Sequence, residues 1–281
     1  MLAAGALYAT SAYRLSQTYD VTVHGRRPPR FPRLSDGGPR PPRRRHPQLR
    51  RLSRIGPRRQ HGRRQFHDRH PSAPNLTPGG VGGTYTDTDW IRALRHGVAP
   101  DGTPLVFMPS WEYYYLSKED LGALIVYLKQ LPPVDRQMAE PELGPMGRAM
   151  MVMGQGNFRL SAARIDHEAP RPEAPEPSPT AAYGEYLSHS CEGCHGQDLS
   201  GGPISGAPPS WPPAANITPH EAGIRAWTKQ DFFRAMREKK RPDGSSIDPV
   251  MPADMGKMTD QELTALWRYL QTVEPKPGLD T

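Results

Sequence analysis

Cys191-Glu-Gly-Cys194-His195 holds both cysteines of the 281-residue chain. Two thiols and an imidazole fall within five residues, at a spacing that lets one helical turn present all three to one ligand. With only two cysteines a disulfide framework is excluded. Apolar residues make up 36% of the chain and form only one short run, which excludes a polytopic membrane protein. At about 100–200 residues per domain, the length accommodates two domains.

The chain repeats itself. Asn75-Leu-Thr-Pro78 recurs as Asn216-Ile-Thr-Pro219, and Thr86-Asp-Thr-Asp89-Trp90 parallels Thr228-Lys-Gln-Asp231-Phe232. Pro100-Asp-Gly102 parallels Pro242-Asp-Gly244, Met108-Pro109 matches Met251-Pro252, and Tyr127-Leu128 matches Tyr269-Leu270. The offsets stay between 141 and 143, so the halves are two copies of one unit. Each copy ends in an amphipathic helix. In the second, Thr259-Asp-Gln-Glu262 is a capping box, followed by Leu263, Leu266, Trp267 and Leu270 on one stripe. In the first, Ser117 and Asp120 open the helix and Leu121, Leu124, Ile125 and Leu128 form the stripe. A further helix starts near Thr86 and near Thr228. Five prolines between Glu168 and Pro179 make a stiff, extended connector. No strand-like alternation occurs, so the expected fold is all-α: two small helical units in tandem.

Three chemistries suit the pentapeptide. Its thiols can add to the two vinyl groups of a haem while the adjacent histidine reaches the iron. A zinc site needs a fourth ligand, and no second cysteine pair supplies it. A dithiol redox pair belongs in a βαβ context, which is missing. Haem attachment through Cys191 and Cys194, with His195 as an iron ligand, is the favoured reading. A structural zinc or dithiol module on the same three residues is the alternative. The sixth ligand is expected to be Met251, because the first copy keeps Met108 there but has Tyr113 and Leu116 opposite Met255 and Met258. Met255 is the fallback, and Met258 is expected to pack ahead of the last helix. The run Met146, Met150, Met151 and Met153 reads as soft packing against a neighbouring surface.

Gly184-Glu-Tyr-Leu187, the Cys-x-x-Cys-His-Gly196 run, Asn216-Ile-Thr-Pro219, Met251-Pro252 and the closing Leu266-Trp-Arg-Tyr-Leu270 resemble a class I c-type cytochrome domain. The two-copy layout resembles tandem di-haem cytochromes c of bacteria that serve membrane-associated dehydrogenases, over nearly all of residues 73–275. The resemblance implies haem c as cofactor and an electron carrier rather than an enzyme. Electrons would pass by outer-sphere transfer from a donor dehydrogenase to a quinone, cytochrome or oxidase in the respiratory chain. It also implies a periplasmic location, with association to the cytoplasmic membrane. The first copy departs from the family by lacking its Cys-x-x-Cys-His.

Subtracting the offset of 142 from 191–195 puts the missing motif at positions 49–53, which read Leu49-Arg-Arg-Leu52-Ser53. They lie in a stretch from Arg26 to Ser72 with sixteen arginines, nine prolines and two acids. That stretch carries +14 of a total of +7, so the remainder sums to −7. A basic arm binding nucleic acid is one reading, but no aromatic interleaving or binding-fold pattern supports it and nucleic acid is not an expected partner. The alternative to a disordered arm is a stretch read out of frame. Leucine codons ending in TG before CGN or TCN contain TGC or TGT, and TCA followed by CGG contains CAC, so one shift restores Cys-x-x-Cys-His at 49–53. The expectation is one haem as written, and two, with Met108 also a ligand, if the frame of residues 26–72 is restored. The anticipated domains are an export-signal or anchor remnant at 1–25, the Arg/Pro stretch at 26–72, an incomplete first cytochrome c domain at 73–135, a Met- then Pro-rich connector at 136–179 and a haem-binding domain at 180–281.

Overall fold

The computed structural model describes residues 2–21, 23, 74–136, 143–153, 160–204, 207 and 210–278. The stretch 26–72, and with it Leu49, Leu52 and Ser53, lies outside them. Among the described residues the fold is all-α, with isolated bridge pairs and no strand. The chain divides into two compact units, with the break after Pro172.

In the first unit α1 (Leu2–Ser16) packs on α4 (Pro145–Met153). Arg14 donates to the carbonyls of Met151 and Val152 at 2.9 and 3.3 Å, satisfying orphan acceptors at the end of α4. Arg148 donates to Ser11 Oγ at 3.1 Å and lies over the Tyr8 ring. Met151 is buried in this region while Met146 and Met153 are exposed, so the methionine-rich run forms a helix of its own and packs through Met151 rather than as a whole. No helix among the described residues is long and apolar enough to cross a membrane. Between these two helices in sequence lie α2 (Asp87–Ile91), which runs on as one π turn through His96, and α3 (Lys118–Lys129). Leu121, Leu124, Ile125 and Leu128 of α3 are all at most 3% exposed, and Trp90, Ile91 and Leu94 complete the core. His96, also buried, meets His167 with 3.0 Å between their Nδ1 atoms, while His167 Nε2 donates to the Ala162 carbonyl.

The second unit contains α5 (Ala181–His195), α6 (Lys229–Glu238) and α7 (Asp260–Leu270). Thr180, Thr228 and Thr259 cap them, the last two through reciprocal capping boxes. Helices α5 and α7 cross at Gly184, where a β-carbon would lie 2.0 Å from the Ala265 carbonyl oxygen. Only glycine permits that approach. Leu187, Leu263, Leu266 and Leu270 fill the crossing, and Phe232 of α6 meets Trp267 at 5.6 Å.

The repeat offset reappears as geometry. Thr86 and Asp89 form the same capping box as Thr228 and Asp231. The bridge Val98–Pro104 recurs as Lys240–Ser246. The Pro-Asp-Gly turns close on Gly102 and Gly244, at φ +87° and +85°, a left-handed region that favours glycine. Arg95 donates to the Leu116 carbonyl at 3.0 Å and Arg237 to the Met258 carbonyl at 3.1 Å, 142 residues apart at both ends.

Candidate functional site

Helix α5 ends on the pentapeptide. Cys191 and Cys194, three residues apart, share a face with His195, and all three line an apolar slot. Both cysteines are half-buried thiols. The slot is walled by Ile217, Ile224, Phe232 and Leu266, with Met251 and Met255 on the loop between α6 and α7. Arg241 is the one Lys or Arg side chain among the described residues lining it.

His195 is held by the backbone. Its Nδ1 lies 2.8 Å from the Ala215 carbonyl, which can only accept, so Nδ1 carries the proton and Nε2 the lone pair. Burial lowers the imidazole pKa and the hydrogen bond to Ala215 raises it, with burial the larger effect. The result is a neutral imidazole of fixed tautomer, the form that ligates a metal. The chain leaves α5 through Gly196 at φ +81° and returns so that Gly201 N–H donates to the His195 carbonyl at 2.8 Å.

The Asn-x-Thr signature explains why Ala215 stays in place. Asn216 Oδ1 accepts from the Thr218 amide at 2.8 Å and hydroxyl at 2.7 Å, while Nδ2 donates to the Lys276 carbonyl at 2.7 Å. The first unit repeats this staple: Asn75 accepts from Thr77 at 3.1 and 2.8 Å and donates to the Val134 carbonyl at 2.7 Å. The motif fixes the segment beside the histidine, and Asn216 itself lines the slot.

The methionine loop is braced within itself at Asp248 and tied to α6 by Arg237 and to the helix cap by Lys239. Asp248 Oδ1 accepts from the Val250 amide, and the Asp248 carbonyl from the Met251 amide at 3.0 Å. Arg237 donates to the carbonyls of Gly256 and Met258 and to Asp260. Lys239 donates to the Pro252 carbonyl at 3.2 Å. Met255 sits in the 3-10 turn Ala253–Lys257 and is nearly buried. Met258 is 2% exposed and stands ahead of the Thr259 cap, as a packing residue should. The structure thus brings Cys191, Cys194, His195, Met251 and Met255 to one slot. In the first unit Met108 precedes Pro109, and its carbonyl accepts from Ser161 Oγ at 2.5 Å; no described cysteine accompanies it.

Residues 181–274 match the family model described as cytochrome c. They form a cytochrome c domain. Alignments reach well beyond this domain. Identity of 27% over 229 residues links 72% of the chain with 48% of the cytochrome c subunit of a quinone alcohol dehydrogenase from Gluconacetobacter polyoxogenes. The fructose dehydrogenase cytochrome subunit of Gluconobacter japonicus is 34% identical over 122 residues, 38% of this chain and 25% of that protein. A diheme cytochrome c-type protein of Cereibacter sphaeroides is 28% identical over 222 residues, 71% of this chain and 70% of that one. The chain spans about half the length of the alcohol dehydrogenase subunit it matches.

The slot of the cytochrome c domain suits haem c. Its donors are two thiols, a neutral imidazole and thioethers, and its walls are apolar, as a porphyrin face requires. Zinc fits less well: among the described residues no group of three or more His, Cys, Asp or Glu side chains forms a metal-binding cluster. Nor does the all-α setting match a dithiol oxidoreductase. Sequence reasoning missed the Ala215 carbonyl, the purpose of the Asn216–Thr218 staple, and the struts Arg237 and Lys239. Only the repeated Asn-x-Thr left a trace of these in the sequence.

Proposed function

We propose that the chain is an electron carrier, not an enzyme, in which Cys191 and Cys194 would hold one haem covalently and His195 and Met251 would ligate its iron. The observation that supports this most directly is the convergence of both thiols, the unprotonated Nε2 of His195 and two thioethers on one apolar slot. The haem supplies one-electron chemistry when bound. The protein's own residues hold it, exclude water from its faces and fix its ligands. Met255, four residues beyond Met251 in the same slot, is the fallback ligand.

The donor in this reading is a dehydrogenase, since the relatives carry the names of alcohol, fructose and gluconate dehydrogenase cytochrome subunits. The acceptor is a quinone, cytochrome or oxidase. The reading includes a periplasmic location, associated with the cytoplasmic membrane. A covalent haem count per polypeptide, on protein from the native host's membrane and periplasmic fractions, tests this. One haem fits the chain as written. Two would mean that residues 26–72 are a reading-frame artefact and that Met108 is a ligand as well. None would sink the cytochrome reading.

A further inference from the structure

Lys239 stands where the backbone asks for glycine. It follows α6 at φ +58°, in the left-handed region, and its counterpart 142 residues earlier is Gly97 at φ +68°. The surrounding backbone is the same in both units: Ile247 N–H donates to the Lys239 carbonyl at 2.8 Å, and Leu105 N–H to the Gly97 carbonyl at 2.7 Å. A β-carbon in this conformation is strained and glycine is not, so the lysine is kept against a local cost. Its side chain shows what it does there. The half-buried ammonium reaches the Pro252 carbonyl, next to Met251, at 3.2 Å.

The first unit holds its own Met-Pro loop by other means. Ser161 Oγ donates to the Met108 carbonyl at 2.5 Å and accepts from the Ser110 amide at 3.1 Å. A β-carbon on Gly97 would come within 2.9 Å of the Ser161 β-carbon, so a strut from position 97 and one from Ser161 exclude each other. At the Met-Pro step itself, each unit therefore fastens a carbonyl with a different residue, Ser161 on Met108 and Lys239 on Pro252.

We propose that Lys239 is a positioning residue for the thioether ligand, fastening the Met251–Pro252 loop so that Met251 stays in the slot. The inference rests on the haem reading above. The test uses the full-length protein with haem attached, comparing wild type with Lys239→Gly and Lys239→Arg. Glycine removes the strut but relieves the backbone, so the thermal midpoint of the haem-linked transition should move little. Loss of a charge-assisted hydrogen bond should nonetheless loosen the loop, raising the rate of cyanide binding to the oxidised haem by about tenfold. The long-wavelength thioether-to-iron absorption band should weaken in parallel, and arginine, which keeps a cationic donor, should restore both. Unchanged cyanide binding and an unchanged band in Lys239→Gly would overturn the proposal. So would changes that track a lowered midpoint, which would mark Lys239 as structural only. A wild-type protein with no Soret absorbance would instead refute the haem reading on which the proposal stands.

Discussion

Replacing Gly184 with alanine adds one methyl group at the tightest point of the second unit. That carbon would sit 2.0 Å from the Ala265 carbonyl oxygen, 2.5 Å from its carbon and 2.7 Å from Tyr269 Cβ, whereas ordinary contact begins at 3.4 Å. The first two atoms are backbone, so no rotamer change relieves the clash, and the helices must part by up to 3.4 − 2.0 = 1.4 Å. Parting them loosens Leu187 against Leu266, each 2% exposed. Overpacking costs about 1–3 kcal/mol and occasionally more, and a backbone contact belongs at the upper end. Alanine's better helix propensity returns about 1 kcal/mol. The net loss of about 2 kcal/mol corresponds to a melting midpoint roughly 10 °C lower for a domain of this size. Thermal unfolding of the full-length protein, followed at the Soret band and by far-ultraviolet circular dichroism, measures it. Gly244→Ala is the control: nothing lies within 4 Å of that position, so its cost is confined to the backbone at φ +85°. A Gly184→Ala midpoint indistinguishable from wild type would refute the close-crossing argument.

Exchanging Met251 for alanine should abolish the thioether band and lower the midpoint potential by about 0.1 V, within the roughly 0.8 V that axial ligands span. If Met255→Ala does so instead, the fallback ligand is the true one. Asn216→Ala removes three hydrogen bonds, and at about 1 kcal/mol each should destabilise the haem-linked transition by about 2–3 kcal/mol in chemical denaturation. Loss of less than about 0.5 kcal/mol would show the staple to be dispensable. His96 gives the first unit an acid limit. Burial, then the neighbouring His167, then Arg95 push its pKa from 6.5 down to about 3, so the folded unit holds fewer protons than the unfolded chain between those values. The stability is fully present above pH 6.5, falls as the pH drops toward 3, and amounts to at most about 5 kcal/mol. Hydrogen exchange in α2 and α3 across that range should reveal the loss, and His96→Gln should flatten it. An equally steep loss in the variant would exclude His96 as its source.

The helices and caps were legible because their determinants are local. Thr228 with Asp231 and Thr259 with Glu262 announce helix starts three residues ahead, and the stripe at Leu263, Leu266, Trp267 and Leu270 has the period of its own helix. Cys191, Cys194 and His195 were legible for the same reason, being a chemical group written in consecutive residues. The role of α1 was not, since an apolar run states that it must be covered and not by what. In the structure Arg14 and Arg148, 134 residues apart, tie α1 to α4, each bonding to the other's helix, while Tyr8 and Tyr13 of the apolar run stay exposed.

What remained illegible is mostly the work of carbonyl groups, which every residue has and no sequence displays. The Ala215 carbonyl decides which nitrogen of His195 is free, yet alanine at that position signals nothing. The Pro252 carbonyl gives Lys239 its purpose, but a lysine after a helix reads as an ordinary solvated cap. The internal repeat is what makes such residues visible. Two copies of one backbone with glycine at position 97 and lysine at position 239 form an experiment on the same local geometry, and the difference in side chain has to be explained by what each copy does with it. The same comparison separates shared scaffold from site. The Asn-x-Thr staple, the capping boxes and the arginine strut occur in both units, with or without a described cysteine pair, so they maintain the fold. Among the described residues, the thiol pair, His195 and Lys239 belong to the second unit alone, and they converge on the slot or on the loop that closes it.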